Sequence, residues 1–159
     1  MTIRIASIAR LLLALLAALA LAACGASKPA TLDDIPAYPG ATVLQPGESR
    51  LADTLAQNNQ TDAALRGQLG VGGKTEQRGY SLPADVSWPQ VKGFYDERLK
   101  AGGWTTNSMV SSIMEQANQG NELFQTANWQ KGSQNVTVVM MTSPMDPAVK
   151  ELIVSLASQ

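Results

Sequence analysis

The sequence predicts an α+β protein with one long helix packed on an antiparallel sheet of about four or five strands, preceded by a cleaved signal peptide. Three observations support this fold class. Residues 88–101 carry an amphipathic helical pattern, residues 135–143 are rich in β-branched side chains, and an apolar stretch precedes the single cysteine. A chain of 159 residues can bury a core, and we expect one domain after the leader.

The leader begins with two arginines and no acidic residue, and an unbroken apolar stretch follows over residues 11–23. This is the layout of a secretory signal peptide. A membrane-spanning helix needs about 20 apolar residues to cross a hydrocarbon core of roughly 30 Å, so this stretch is too short to span. We therefore predict that residues 1–23 are a signal peptide that is cleaved after Ala23.

Cys24 follows Leu21-Ala22-Ala23 directly, and this LAAC sequence resembles the lipobox of bacterial lipoproteins. The resemblance implies a diacylglyceryl thioether on Cys24, cleavage of the Ala23–Cys24 bond and acylation of the new amine, for example with palmitate. Two or more acyl chains anchor a protein stably in a bilayer without spanning it. Two alternatives stay open: an ordinary signal peptide cleaved nearby, with Cys24 an incidental thiol, or an uncleaved anchor.

Such an anchor predicts a location on the extracytoplasmic side of a membrane. This is the outer face of the cell membrane or, in a cell with two membranes, the periplasm or outer membrane. Residues 24–34 are small and polar after the cysteine, which predicts a lipidated cysteine and a tether. The ten residues after Cys24 would reach roughly 30 Å at about 3.1 Å per residue. Residues 35–159 are then the single α+β domain.

The first half of this domain has weak patterns. Pro36 and Pro39 make residues 35–41 a rigid entry loop, because proline fixes φ and lacks a backbone donor. Leucines at helical spacing lie on both sides of the polar residues 57–60. The elements predicted here are a strand over 41–44, two short weak helices or one interrupted helix within 49–69, and a strand over 75–82.

The clearest element is a helix over 88–101. Ser87 can cap its N-terminus with Gln90 as the capping-box partner, and Gly102-Gly103 ends it. One apolar face is formed by residues at spacing i, i+3, i+4 and i+8, namely Val91, Phe94, Tyr95 and Leu99.

After Trp104 the apolar period shifts toward two, which predicts strands. The C-terminus fits two structures, because Asp146-Pro147 favours a helix start while residues 152–156 fit a buried strand. We favour the strand, which would close a hairpin. The strands expected in this half are 108–115, 122–131, 135–143 and 152–156, with turns at 119–121 and 132–133.

Two short motifs resemble a pattern in small uncharacterised bacterial lipoproteins. The first is an IPxYPGA opening at 35–41, and the second is FYxxxLxxxGW, which runs from Phe94-Tyr95 through Leu99 to Gly103-Trp104. The resemblance covers the mature chain loosely and is specific only at these two places. It implies a compact exported domain and indicates no biochemical role.

The composition removes several kinds of chemistry. The chain has no histidine, and lipidation would consume its only thiol. Catalytic triads with histidine, disulfides, and zinc sites built on histidine or thiolate are therefore excluded. Without residues 1–23, ten basic side chains face thirteen acidic ones with no basic run, which argues against a nucleic-acid partner. We expect no cofactor and no metal site.

Paired carboxylates can divide the roles of general acid and base when their pKa values differ. Positions in the tether, on the polar side of a helix and at the rim of a turn instead indicate solvated charges. We therefore expect no catalytic residue among the candidate pairs, which are Asp33-Asp34, Asp96-Glu97 and Glu115 with Glu122.

Aromatic side chains could line an apolar or sugar-binding cleft, because their rings offer stacking faces and polar handles. The competing interpretation is that a domain with so few aromatic residues needs them in its core. The residues of this possible ligand cleft are Tyr38, Trp88, Trp104 and Trp129.

From these features we expect a membrane-anchored envelope lipoprotein that is a non-enzymatic interaction or structural module. Its partners would be the lipid bilayer, through Cys24, and an envelope protein or a cell-wall component. The alternative is a single-domain binding lipoprotein for a small apolar or saccharide ligand. A third hypothesis is a hydrolase that uses carboxylates, or serine with lysine.

Overall fold

The computed structural model describes residues 28–69 and 72–158 of the chain. Within these residues, three α-helices and five strands follow a short 3₁₀ turn at Leu32–Asp34. The helices are α1 (Arg50–Leu69), α2 (Trp88–Ala101) and α3 (Ser108–Asn118). The strands are β1 (Thr42–Val43), β2 (Lys74–Leu82), β3 (Phe124–Lys131), β4 (Gln134–Thr142) and β5 (Lys150–Ser158).

The five strands form one antiparallel sheet with the order β1-β2-β5-β4-β3. The predicted α+β class, with an antiparallel sheet of about four or five strands, is confirmed. Every second side chain of β4 and β5 is buried, because successive residues of a strand point to opposite faces. We call the buried side the core face, and its centre consists of Val136, Val138, Met140, Leu152, Val154 and Leu156.

Helix α2 covers the core face, and its bounds are those predicted for the helix over 88–101. Val91, Tyr95 and Leu99 on its apolar stripe are buried in the same core as β4 and β5. At its N-terminus, Gln90 Oε1 accepts hydrogen bonds from the backbone N–H and the hydroxyl of Ser87, both at 2.8 Å. These contacts confirm that Gln90 is the capping-box partner of Ser87.

Helix α1 lies on the opposite side of the sheet, which we call the outer face. Leu55 is buried there against Gly79 of β2. Asn59 Nδ2 donates to the Gln77 carbonyl at 3.1 Å, so a polar contact continues the packing where apolar residues are sparse. α1 is therefore continuous, and the expectation of two short helices or an interrupted one is wrong. The described residues contain three helices, so the prediction of one long helix is not confirmed.

Residues 108–115, which we predicted to be a strand, belong to helix α3. Asn107 caps this helix, because its Oδ1 accepts from the backbone N–H groups of Met109 and Val110 at 3.0 and 3.3 Å. The apolar residues of the segment are spaced four apart as Met109 with Ile113 and Val110 with Met114, which is a helical spacing.

The remaining strands follow the prediction closely. β1, β2, β3 and β4 lie within one or two residues of the expected bounds. The C-terminal segment is a strand rather than a helix, and β5 pairs along its whole length with both β4 and β2. Leu152, Val154 and Leu156 alternate with more exposed residues because successive side chains point to opposite faces and these three lie on the core face.

Candidate functional site

The predicted lipidation and cleavage residues, Cys24 and Ala23, lie outside the described residues. The described chain starts at one end of the sheet, where β2 and β4 begin and β3 and β5 end. We call this end the base. A register row across four strands defines it, in the order Lys74, Ser158, Gln134 and Lys131.

Gln134 holds the start of the chain against the base. Its side chain is only 6 % exposed. Nε2 donates to the Ala30 carbonyl and Oε1 accepts from the Ala30 N–H, both at 2.8 Å. Nε2 also donates to the Ser158 hydroxyl at 2.9 Å. The amide is therefore satisfied in its buried position and fixes Ala30 to the sheet.

Residues 30–34, which we predicted to be tether, instead pack on the domain. Leu32 is buried in the main core, and Arg78 pairs with Asp33 at 2.7 Å. Asp34 accepts hydrogen bonds from the backbone and hydroxyl of Thr31, which lower its pKa below the usual 3.8. Burial of Leu32, with the polar contacts of Ala30 and Asp33 on either side of it, keeps this segment on the sheet.

The four predicted cleft residues do not form one cleft. Trp88, Trp104 and Trp129 belong to a single core and are 7 %, 4 % and 2 % exposed. Tyr38 packs edge-on against Phe94 of α2, with ring centroids 5.3 Å apart. Stacking on a sugar needs an exposed ring face, which none of these indoles offers.

A groove of about 490 Å³ lies between α2, α3 and the end of β3. Its lining includes Trp104 and Trp129 together with Lys92, Asp96 and Glu115. This volume is within the range of small-ligand sites, about 300–1,000 Å³, but such sites are lined mainly by apolar groups. The charged walls make this groove a poor match for an apolar ligand.

The predicted acid pairs are not arranged for shared acid and base roles. Asp96 is held in the groove, because Oδ1 accepts from Trp129 Nε1 at 3.0 Å and Oδ2 accepts from Lys92 at 2.8 Å. Its neighbour Glu97 is exposed on α2. Glu115 lies on helix α3, so the hairpin that would have brought it towards Glu122 is not formed.

The outer face carries a row of neutral polar side chains that sequence reasoning missed. Gln77, Ser155, Thr137 and Asn128 face one another across β2, β5, β4 and β3. Gln77 Nε2 donates to Ser155 Oγ and Asn128 Nδ2 donates to Thr137 Oγ1, both at 3.0 Å. Helix α1 packs beside β2, and the row is half-exposed. We call these four residues the polar row.

Asparagine side chains from two helices bond to the backbone near each edge of the sheet, whose edge strands are β1 and β3. Asn59 of α1 bonds to the edge of β2, as described above. Asn118 of α3 bonds to β3, where Nδ2 donates to the Thr126 carbonyl at 2.8 Å and Oδ1 accepts from its N–H at 2.9 Å. Exposed strand edges invite pairing with other chains, and these two asparagines occupy them.

Apolar side chains are exposed on α3, in the loop after it and at the start of β3. Met109 is 74 % exposed and Ile113 is 62 % exposed, and they lie one turn apart. Leu123 and Phe124 are also about half exposed. Single exposed apolar residues are common on protein surfaces, so this group alone indicates no ligand.

One of these features carried a weak signal in the sequence. Gln134 lies in phase with Val136, Val138 and Met140, so strand periodicity marks it as a polar residue in a core position. The polar row is readable only once the register of four strands is known, because each strand contributes one residue.

Comparisons with known proteins gave no match: no protein-family model, no curated protein and no solved structure is similar to this chain. Within residues 28–69 and 72–158, no helix is both long and apolar enough to cross a membrane. The same part of the chain contains no group of three or more acidic, histidine or cysteine side chains placed to hold a metal ion.

Proposed function

We propose that this chain is an extracytoplasmic lipoprotein, anchored through Cys24, whose domain is a non-enzymatic interaction module. Its partner would be an envelope protein or a cell-wall component. The anchor rests on the LAAC sequence and the short apolar leader. The observation that carries the proposal is the attachment of Ala30 to Gln134 at the base.

This attachment limits how far the domain can stand from a lipidated Cys24. Only six peptide steps separate Cys24 from Ala30, and a fully extended chain gains at most about 3.3–3.6 Å per step. The base would then lie within roughly 20 Å of the acyl chains. This link is shorter than the tether of roughly 30 Å that the sequence predicted.

The outer face is the surface that best suits an interaction module. The polar row presents amides and hydroxyls without a net charge, and α1 leaves it half-exposed. Because Asn118 bonds to the backbone of the edge strand β3, and Asn59 bonds to β2 where the two-residue strand β1 leaves it uncovered, contact through side chains is favoured over strand addition.

The anchor is tested by Cys24→Ala in the intact precursor. We expect the wild type in the membrane fraction with incorporated palmitate, and the variant released from membranes and unlabelled. Ser27→Ala is the matched control and should behave as the wild type. Unchanged membrane retention of the Cys24→Ala variant would overturn the anchor.

The interaction module is tested by in-cell photo-crosslinking from Thr137, at the centre of the polar row. A crosslinker at the exposed Glu97 of α2 is the matched control. We expect a discrete adduct with an envelope protein or a wall fragment from Thr137 and none from Glu97. The absence of any adduct specific to Thr137 would contradict this part of the proposal.

A further inference from the structure

Four lysines are gathered at the base of the domain. Lys74 and Lys131 occupy the two outer positions of the register row that defines it. Lys28 precedes the attached Ala30, and both Lys28 and Lys131 are close enough to Asp34 to lower its pKa. Lys131 Nζ donates to the Gly102 carbonyl just after α2, so Lys100 in the last turn of α2 lies at the same end.

Three acidic side chains also lie near the base, and two of them are paired with basic side chains. Asp33 pairs with Arg78 at 2.7 Å, and Glu76 pairs with Lys74 at 2.7 Å. Asp34 is bound by the backbone and hydroxyl of Thr31. Lys74 keeps a largely exposed side chain despite its ion pair, at 66 %.

The opposite end of the sheet has the opposite charge. Its loops and strand ends carry four acidic residues with one lysine, Lys150. Lys150 donates to the Ala84 and Val86 carbonyls at 2.7 and 2.6 Å, and its one positive charge does not balance the four negative ones. The acidic residues at this end are Asp85, Glu122, Asp146 and Glu151.

The domain is thus electrically polarised along its strands, although acidic residues outnumber basic ones in the chain as a whole. We propose that the lysine-bearing base docks on an anionic phospholipid surface and orients the domain with its acidic end away from the bilayer. This inference rests on the proposed anchor at Cys24, which would bring the base to that surface.

The spacing of the lysines favours a surface over a single anion. Lys74 and Lys131 are separated by three strand spacings, about 14 Å at about 4.8 Å per spacing. Charges this far apart suit a sheet of separate headgroups. Attraction to such a surface extends over about one Debye length, roughly 8–10 Å at physiological salt, so it requires a base held close to the bilayer.

The test uses the mature chain, residues 24–159, with Cys24→Ser, so that partitioning is independent of lipidation. This chain contains the whole described core, which extends from Leu32 to Leu156, and circular dichroism checks that each variant is folded. Vesicles of phosphatidylcholine alone are compared with vesicles that also contain phosphatidylglycerol. We expect binding only to the anionic vesicles, and its loss at about 1 M salt, where the Debye length is about 3 Å.

Charge-reversal variants locate the docking surface. A basic side chain near an anionic surface changes partitioning about fivefold, so the charge reversal Lys74→Glu, a change of two charge units, should lower it more than tenfold. Arg50→Glu, at the start of α1 and towards the opposite end, is the matched control and should have a much smaller effect. Equal losses from both variants would show a response to net charge alone and would overturn the proposal.

Lysine acetylation by a membrane-impermeant reagent gives a second measurement on the unmutated surface. With Cys24 coupled to a maleimide lipid, Lys28 and Lys74 should be modified at least threefold more slowly on anionic than on neutral vesicles, while Lys92 should not change. Uniform modification, or binding to soluble polyphosphate without binding to vesicles, would overturn the proposal. Failure of Cys24→Ala to release the protein from cells would instead count against the anchor.

Discussion

Gln134 and Ala30, 104 residues apart in the sequence, are joined by two hydrogen bonds in which the glutamine amide pairs with both backbone groups of Ala30. The glutamine amide thus bonds to Ala30 through one donor and one acceptor, as a peptide group does. Because it lies in phase with the buried residues of β4, its amide would be unsatisfied without Ala30 and Ser158. One side chain therefore links the start of the described chain to the base of the sheet.

Gln134→Leu should lower the free energy of unfolding by about 1–3 kcal/mol, because the backbone groups of Ala30 lose their partners while the leucine fills a similar volume. Urea unfolding measures the loss, and faster amide exchange at Ala30 would report the release of the segment. Gln130→Leu is the control, since Gln130 is exposed in β3, and its effect should stay within about 0.5 kcal/mol. Equal stability of the two variants would contradict a structural role for the Gln134 amide.

Tyr95→Phe should leave the protein as stable as the wild type or more stable by up to about 1 kcal/mol. Among the described residues, Tyr95 Oη is the buried side-chain polar atom that lacks a hydrogen-bond partner. An unpaired buried hydroxyl costs desolvation energy that phenylalanine avoids. A loss of more than about 1 kcal/mol in urea unfolding would show that the hydroxyl has a favourable contact.

The same substitution should change stability at alkaline pH. Burial, together with the nearby Tyr80, raises the pKa of Tyr95 above its usual 10.0. A raised folded-state pKa means that the contribution of Tyr95 is intact below pH 10 and is lost as the pH rises above that value. The wild type should therefore lose stability above pH 10 more steeply than Tyr95→Phe, as measured by unfolding midpoints. Parallel pH profiles would contradict the raised pKa.

The sequence predicted those elements whose apolar period is long and consistent. α2 has one apolar stripe over four turns, and β4 alternates with β-branched residues, so both were assigned correctly. α3 was misassigned because Met109, Val110, Ile113 and Met114 form two adjacent pairs, which fit a helix better than a strand. Asn107, which precedes them, is a helix-start signal that the prediction did not use.

The candidate surfaces were less predictable, because they depend on contacts between distant segments. The attachment of Ala30 needs a partner that is 104 residues away. The polar row needs the register of four strands, and the base needs the relative direction of the same strands. Local patterns encode none of these relationships. The tryptophans, by contrast, lie in the core, which was the competing interpretation of the aromatic residues.

Gly79→Val should destabilise the protein by about 1–3 kcal/mol, because a side chain there meets Leu55 of α1. Even a Cβ atom would lie 2.9 Å from Leu55 Cδ1. Combining it with Leu55→Ala should cost less than the sum of the two single variants, since the smaller residue makes room. Gly67→Ala is the control, because open space surrounds Gly67 in α1, and it should stabilise the helix slightly. Strict additivity in the double-mutant cycle would exclude the close approach of α1 to β2.

Asn118→Ala should both destabilise the domain and expose the edge of β3. The asparagine makes two hydrogen bonds with the backbone of Thr126, at 2.8 and 2.9 Å, and their loss should cost about 1–3 kcal/mol in urea unfolding.

The second effect follows from what surrounds this position on the edge. Asn121 Oδ1 accepts from the Phe124 N–H at one side, and Thr105 pairs with Gln130 at the other. Without Asn118, the edge between these contacts is free to pair with another chain. Sedimentation should then show association that increases with concentration, beyond that of the wild type. Gln116→Ala, an exposed change on the same helix, should show neither effect. If Asn118→Ala sediments as the wild type does while losing stability, the asparagine serves packing and not protection of the edge.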